Sequence, residues 1–395
     1  VQGQYRPTQV EINLDHLSSN VDAFRSALPQ GMKFLACVKA NAYGHGAVET
    51  ARELERIGVD YLSVAFLDEA LELRQNGIKA PILVLGYTPP EGIAVAREHD
   101  VTITLFSREV LKAIRDLDTG LSRKQLKVHI KIDSGMGRLG LLPGDEALAF
   151  IQEAASMDQI LLEGMFTHYA KADEEDKTYT LEQYRRFRSV VEALRDQGCV
   201  IPIIHTANSA AAIDTPELSY NMVRVGISLY GLYPSAEVNH QVVKLVPVLT
   251  LKTKAVLVKT LPPHWGVSYG TRYVTQGNER IATLPIGYAD GYSRMLTGKA
   301  QVLVRGRRVP VVGTICMDQC MVSLQSFAEE AEEIQAGEEV VLIGHQSDGV
   351  ITADEVASQL GTIAYEVICM MAHRIPRIYF RNGMEVAKIN PLLTS

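Results

Sequence analysis

Lys39 closes an apolar run, Lys33-Phe34-Leu35-Ala36-Cys37-Val38, and is followed by Ala40-Asn41-Ala42-Tyr43-Gly44-His45-Gly46. An amine at the end of a buried strand is half desolvated and suits covalent chemistry with a carbonyl group. A plain surface lysine at a strand edge is the ordinary alternative. The loop favours the chemical reading, because its glycines and tyrosine make a tight turn able to bring a hydroxyl near a phosphate.

A second lysine lies in Val128-His129-Ile130-Lys131-Ile132-Asp133. Strict alternation puts His129, Lys131 and Asp133 on one face and the aliphatic residues on the other. A lysine on an inward face is costly unless it is paired or chemically modified; an ion pair with Asp133 or another inward acid is the simplest resolution. The run continues into Ser134-Gly135-Met136-Gly137-Arg138, whose glycines turn sharply and present Arg138, the natural fork for a carboxylate. Further groups follow at the ends of apolar runs: Thr167-His168-Tyr169, His205-Thr206-Ala207-Asn208-Ser209 and Arg224-Val225-Gly226-Ile227. Ser209 suits a helix N-cap, and a helix N-terminus at that point also suits a phosphate.

Elements that would position these groups are legible as period. Apolar runs near residues 33–40, 61–66, 81–87, 101–106, 127–133, 162–169, 202–208 and 222–232 alternate with stretches of helical spacing that often end in glycine. Eight strand–helix alternations predict an α/β fold, a (β/α)8 TIM-type barrel over residues 10–240 whose reactive groups gather at the C-terminal strand ends. A doubly wound sheet is the competing arrangement, but no glycine-rich dinucleotide loop follows the first strand. From 241 to 385 the pattern becomes β-rich, punctuated by glycine and proline, which predicts a mostly β C-terminal domain; residues 1–9 are expected to pack with it. This part carries Ser268-Tyr269-Gly270, Gly287-Tyr288-Ala289-Asp290-Gly291, Cys316-Met317-Asp318-Gln319 and Ala364-Tyr365-Glu366, each individually compatible with turns or packed rings.

Composition narrows the function classes. The 395 residues carry a net charge of −7 with no basic run, which disfavours nucleic acid and anionic membranes as partners. The 5 cysteines form no C-x-x-C pair and no zinc spacing, so reduced thiols in a cytoplasmic protein are expected and no metal is. No apolar stretch reaches the ~18 residues of a membrane span.

Taken together, Val-Lys-Ala-Asn-Ala-Tyr-Gly-His-Gly, Lys-Ile-Asp-Ser-Gly-Met-Gly-Arg-Leu-Gly, His-Thr-Ala-Asn-Ser, Arg-Val-Gly-Ile, Val-Ser-Tyr-Gly, Gly-Tyr-Ala-Asp-Gly and Cys-Met-Asp-Gln, in this order, resemble the alanine racemase family of pyridoxal 5′-phosphate (PLP) enzymes, over nearly the whole chain. The resemblance implies that Lys39 carries PLP as a Schiff base and that Tyr43, Ser209, Gly226, Ile227 and Tyr365 surround its phosphate. It implies that Arg224 faces the pyridine nitrogen, that Arg138 and the backbone at Met317 hold the substrate carboxylate, and that Lys131 is carbamylated to an anion (N6-carboxylysine) positioning Arg138. Lys39 and Tyr269 are then the two catalytic bases, with His168 connecting Tyr269 to Arg224. Tyr288 lines the site, and Asp173 and Arg294 flank its entrance.

Inversion at Cα needs a proton removed from one face and returned to the other, which two bases on opposite sides of a cofactor plane do directly. Arginine at the ring nitrogen keeps its proton, so the electron sink is weaker than with an acid there, which favours racemase over decarboxylase. The family implies a homodimer with shared active sites, in the cytoplasm, supplying D-alanine for peptidoglycan. A broad-specificity amino-acid (serine) racemase is the alternative enzyme. The alternative from another class is a non-catalytic PLP-binding protein, which would lack the β domain.

Overall fold

The computed structural model describes residues 5–117 and 124–393. The chain falls into two compact units. One comprises Leu17–Ala42 and Ala47–Val246; the other comprises residues 5–16, Tyr43–Gly46 and the described part of Pro247–Ser395. The proposed packing of residues 1–9 with the β-rich part concerns 5–9 only, since 1–4 lie outside the described residues.

The described residues of the first unit form eight strands: Lys33–Cys37, Tyr61–Val64, Ile82–Val84, Val101–Leu105, Leu126–Lys131, Ile160–Phe166, Ile203–His205 and Met222–Val225. The first seven pair in parallel, each with the next, and the eighth pairs with the first. The seam between the seventh and eighth is bridged by Asn221 N–H to Ile204 O, 3.2 Å, and Arg224 N–H to Ala207 O, 3.1 Å. This is the expected (β/α)8 barrel, nearly closed. Strands buried on both faces need near-continuous apolar sequence, and Tyr61–Val64, Ile82–Val84 and Val101–Leu105 are buried at every position.

The helices between them bury one stripe each. Arg108–Arg115, for example, buries Val110, Leu111 and Ile114 and is capped by Ser107, which accepts from Val110 N–H. Ile93–Glu98 is a helix of 6 residues, too short for periodicity to announce it, whereas Ser209–Asp214, equally short, stands where a helix was expected to open after the seventh strand.

The described residues of the second unit are built on an 11-stranded sheet. Strand Gln9–Asn13 lies inside it, antiparallel to Leu249–Lys254 and parallel to Arg377–Arg381. Two helices, Ala353–Leu360 and Ala364–Cys369, interrupt the strands. The first is announced by a cap that the β-rich reading passed over: Thr352 accepts from Glu355 N–H at 3.0 Å. Leu261, Val267, Ile281 and Val312 form a buried cluster that anchors the turn beginning at Ser268. No helix among the described residues is long and apolar enough to cross a membrane.

Candidate active site

The first barrel strand stops at Cys37, short of the predicted end at Lys39. Lys39 instead opens a left-handed turn: Ala40, Asn41, Ala42 and Tyr43 have φ of 52, 54, 53 and 51°. Such a run of non-glycine residues costs roughly 1–2 kcal/mol each and persists only when neighbours over-determine it. Here Glu69 accepts from the amides of Ala40 (2.6 Å), Ala65 (2.7 Å) and Phe66 (3.1 Å), while the Asn41 side chain accepts from Ala47 N–H at 2.8 Å. The half-buried Lys39 amine is thus carried on a rigid, strained turn at the C-terminal end of its strand. Glu69, which no motif marked, is its main support.

On the neighbouring strand Met222–Val225, Arg224 is 3% exposed. Its guanidinium donates to Thr167 O (2.8 Å), Thr206 O (2.9 Å), His205 Nδ1 (2.9 Å) and His168 Nδ1 (3.1 Å). Burial pulls its pKa down to about 10, still far enough above neutrality for the charge to stay. His168 and His205 lie well below the ordinary histidine range because burial and then the Arg224 charge disfavour protonation; His129 is lowered chiefly by burial. Each is neutral when folded and protonated when unfolded in acid. Their stabilising contribution is therefore complete above ~6.5, the unfolded histidine pKa, and is lost as pH falls below it. Unfolding free energy measured by denaturant titration should fall below pH ~6.5, by about 1.4 kcal/mol per pH unit for each proton taken up. A stability profile flat from pH 7 to 5 would contradict this placement of the histidines.

Lys131 is 4% exposed, and its side-chain nitrogen has no hydrogen-bond partner among the described residues. It lies 4.5 Å from the centre of the Phe166 ring, and burial, Arg224 and Arg138 hold its pKa well below the lysine range. The simple expectation of an ion pair with Asp133 does not hold. Asp133 accepts instead from the amides of Gly135 (3.0 Å), Gly137 (3.0 Å) and Arg138 (3.1 Å), so its charge is spent folding the glycine loop that presents the exposed Arg138.

Ser209 is not the N-cap. Asn208 is, accepting from Ala211 N–H at 3.0 Å, and this frees the Ser209 hydroxyl to accept from Gly226 N–H at 2.9 Å. Ser209, Gly226 and Ile227 are all buried at the ends of the seventh and eighth strands. Asp173 is half-buried and its carbonyl accepts from Ser235.

The β-rich unit holds the remaining candidates. Tyr269 is 73% exposed on a short turn. Before it, Ser268 has φ 64° and ψ −176°, a region almost restricted to glycine. The Ser268 hydroxyl pays for that conformation by donating to Thr314 O at 2.6 Å, and the Thr314 hydroxyl donates to Tyr269 O at 2.8 Å. Met317 and Tyr288 are interlocked through the backbone: Tyr288 N–H donates to Cys316 O and Ala289 N–H to Met317 O, both at 3.0 Å. A Cβ at Gly287 would stand 2.2 Å from Cys316 O, so the glycine of Gly-Tyr-Ala-Asp-Gly is what lets the Cys-Met-Asp-Gln segment approach. Tyr288 and Arg294 line a cavity of about 350 Å³ with Gly291, Ser293 and Met370. The rings of Tyr43 and Tyr365 lie 6.3 Å apart. Arg377, 2% exposed and unmarked by any motif, donates to Gly44 O at 3.2 Å and fixes the end of the turn that follows Lys39.

A barrel with a lysine on the turn after its first strand and a buried, hydrogen-bonded arginine and histidine cluster in its lumen, on a chain that also carries a β-rich unit, defines a barrel enzyme. Residues 12–234 match the alanine racemase N-terminal domain and residues 248–379 the alanine racemase C-terminal domain. An alanine racemase of Desulfovibrio desulfuricans is 47% identical over 95% of this chain and 98% of its own. The structure of the Clostridium difficile 630 alanine racemase superposes with TM-score 0.94 at 44% identity, over 99% of this chain and 100% of that one. The Bacillus anthracis enzyme, solved with bound L-Ala-P, gives TM-score 0.92 at 43% identity over 99% of both chains. The chain belongs to the alanine racemase family.

Proposed function

We propose that this enzyme interconverts L- and D-alanine with PLP attached at Lys39. What carries the reading is Arg224, a buried cation with its guanidinium fixed by two carbonyls and two histidines, on the strand next to that of Lys39. The residues fit the cofactor. Lys39 supplies the amine, Arg224 a permanent donor for the ring nitrogen, and Ser209, Gly226 and Ile227 a close-packed strand end for the phosphate. The hydroxyls of Tyr43 and Tyr365 also serve the phosphate in this reading. When bound, PLP makes the Cα–H of an amino acid acidic by delocalising its electron pair.

Lys39 takes and returns the proton on the face of the D-isomer, and Tyr269 on the face of the L-isomer. His168 accepts from Arg224 at Nδ1, so its proton sits on Nε2, where it is free to donate towards Tyr269. Arg138 and the backbone at Met317 bind the substrate carboxylate, Tyr288 lines the site, and Asp173 and Arg294 flank its approach. The exposure of Tyr269 supports a homodimer in which a second copy supplies that tyrosine. In this reading the enzyme works in the cytoplasm and supplies D-alanine for peptidoglycan. A racemisation assay over L- and D-amino acids, serine included, tests the substrate: alanine should turn over fastest, and a clear preference for serine would replace this reading.

Lys131 is read as a carbamate. A buried amine kept neutral attacks carbon dioxide; the N–C bond forms, one proton leaves, and the resulting anion can pair with Arg138. With 13C-bicarbonate, the holoenzyme should show a carbamate carbon resonance that Lys131→Met removes, with KM for alanine rising about tenfold through the loss of one charge-assisted contact. Absence of the resonance at saturating bicarbonate would leave Lys131 a plain amine.

A further inference from the structure

The barrel lumen holds a second line of polar groups, running away from Lys39 through side chains to which the proposed reaction gives no role. His205 Nε2 lies 2.8 Å from His129 Nδ1, and His129 Nε2 lies 3.4 Å from Glu163 Oε2. Glu163 also takes a hydrogen bond from Tyr61 and, at 3.4 Å, one from the Thr102 hydroxyl. His129 and His205 are fully buried.

The direction of every link follows from its ends. A guanidinium can only donate, so Arg224 makes His205 Nδ1 an acceptor and puts the His205 proton on Nε2. That proton is donated to His129 Nδ1, which puts the His129 proton on Nε2, facing Glu163. The sequence closes only on a group that accepts without donating, and a carboxylate is such a group. Burial works to raise the Glu163 pKa, but the bonds from His129 and Tyr61 prevail and hold it below the usual range. Donors therefore point one way, from Arg224 through two neutral imidazoles to an anion.

The backbone is adapted to this line. The register of the fifth and sixth strands shifts between Val128 and His129. A Cβ at Gly164, opposite, would stand 2.5 Å from the His129 ring, so only glycine admits that imidazole. Phe166 stacks on His205 with ring centres 4.7 Å apart, fixing its plane.

We propose that Glu163 is a positioning residue for racemisation: its charge, relayed by His129 and His205, polarises the acceptor that grips Arg224 and so sets how strongly Arg224 donates to the cofactor ring. Linked hydrogen bonds strengthen one another in a low-dielectric interior, and an anion at one end biases the whole line. The inference rests on the reading of Arg224 as the partner of the ring nitrogen.

The test is a holoenzyme with 15N-labelled histidine, in wild-type and Glu163→Gln forms. In the wild type, His129 and His205 should both be neutral with the proton on Nε2; an imidazolium, or an Nδ1 proton, in either overturns the proposal without any variant. Glu163→Gln keeps the shape and removes the charge. Its His205 resonances should move, the visible band of the bound cofactor should shift, and kcat should fall about tenfold with KM nearly unchanged, as for outer partners of a ligating histidine. Glu163→Asp should recover part of each effect. Wild-type kcat in Glu163→Gln, or a lower kcat with histidine resonances and visible band unmoved, overturns it. Arg224→Lys separates the two readings: unchanged colour and turnover there would remove the role of Arg224 itself, whatever Glu163 does.

Discussion

Lys39→Ala is expected to give a folded, colourless protein after desalting, with racemisation reduced by about 10⁴-fold or more. Positioned acid–base groups contribute roughly 10²–10⁴-fold each, and the loss here should reach the upper end because the proposed role of the same amine also includes attaching the cofactor. The fold should survive, since the left-handed turn is held by Glu69 and Asn41 through backbone amides and not by the lysine side chain. A Lys39→Ala protein that keeps the visible band of the wild type and its turnover would end the assignment of this lysine. Loss of colour with an unfolded far-ultraviolet spectrum would mean that the turn, rather than the amine, had been tested, and Lys39→Arg would then repeat the measurement with the stem retained.

Tyr269→Phe should leave the cofactor bound and reduce racemisation by ~10²–10⁴-fold, the range for one acid–base group. The two faces of the substrate make a sharper test than the rate. In D2O, the variant should still exchange the Cα hydrogen of D-alanine, because in the proposed division of labour Lys39 removes and returns it on the same side, while exchange from L-alanine collapses. Equal loss of both exchanges would contradict the division of labour between the two bases. Mixing Lys39→Ala and Tyr269→Phe proteins after dissociation and reassociation tests the shared site. If Tyr269 comes from a second copy, a mixed dimer contains one site with both bases intact and activity reappears. If each site uses its own chain, no mixture regains activity. The strained Ser268 and its bond to Thr314 suit such a presented tyrosine, since a turn fixed before the partner arrives loses little freedom on meeting it.

How much of this was legible in the sequence differs by element. Alternating apolar runs and helical spacing gave the barrel, because a parallel strand buried on both faces must be continuously apolar and its helix must carry a stripe. The motifs located Lys39, Arg138, Ser209, Arg224, Tyr269 and Met317, since their glycines and polar residues serve local turns. The short helix Ile93–Glu98 escaped, as did the helix after Thr352. Sequence could also show that Lys131 and Asp133 share a face, but not that Asp133 would turn to the loop amides and leave the lysine alone. Glu163, inside an apolar strand, was a visible signal that went unread; Glu69 and Arg377 carried none.

By itself, then, the sequence determined the strand–helix order, the β-rich second unit and the residue types available for proton transfer. Those depend on periodicity and on contacts close along the chain. The tertiary structure decided which nitrogen of each buried histidine carries its proton, which carboxylate ends the line from Arg224, and that Lys39 stands on a left-handed turn rather than at a strand end. Each of those is fixed by partners distant in sequence, brought together only when the barrel closes and water leaves its lumen.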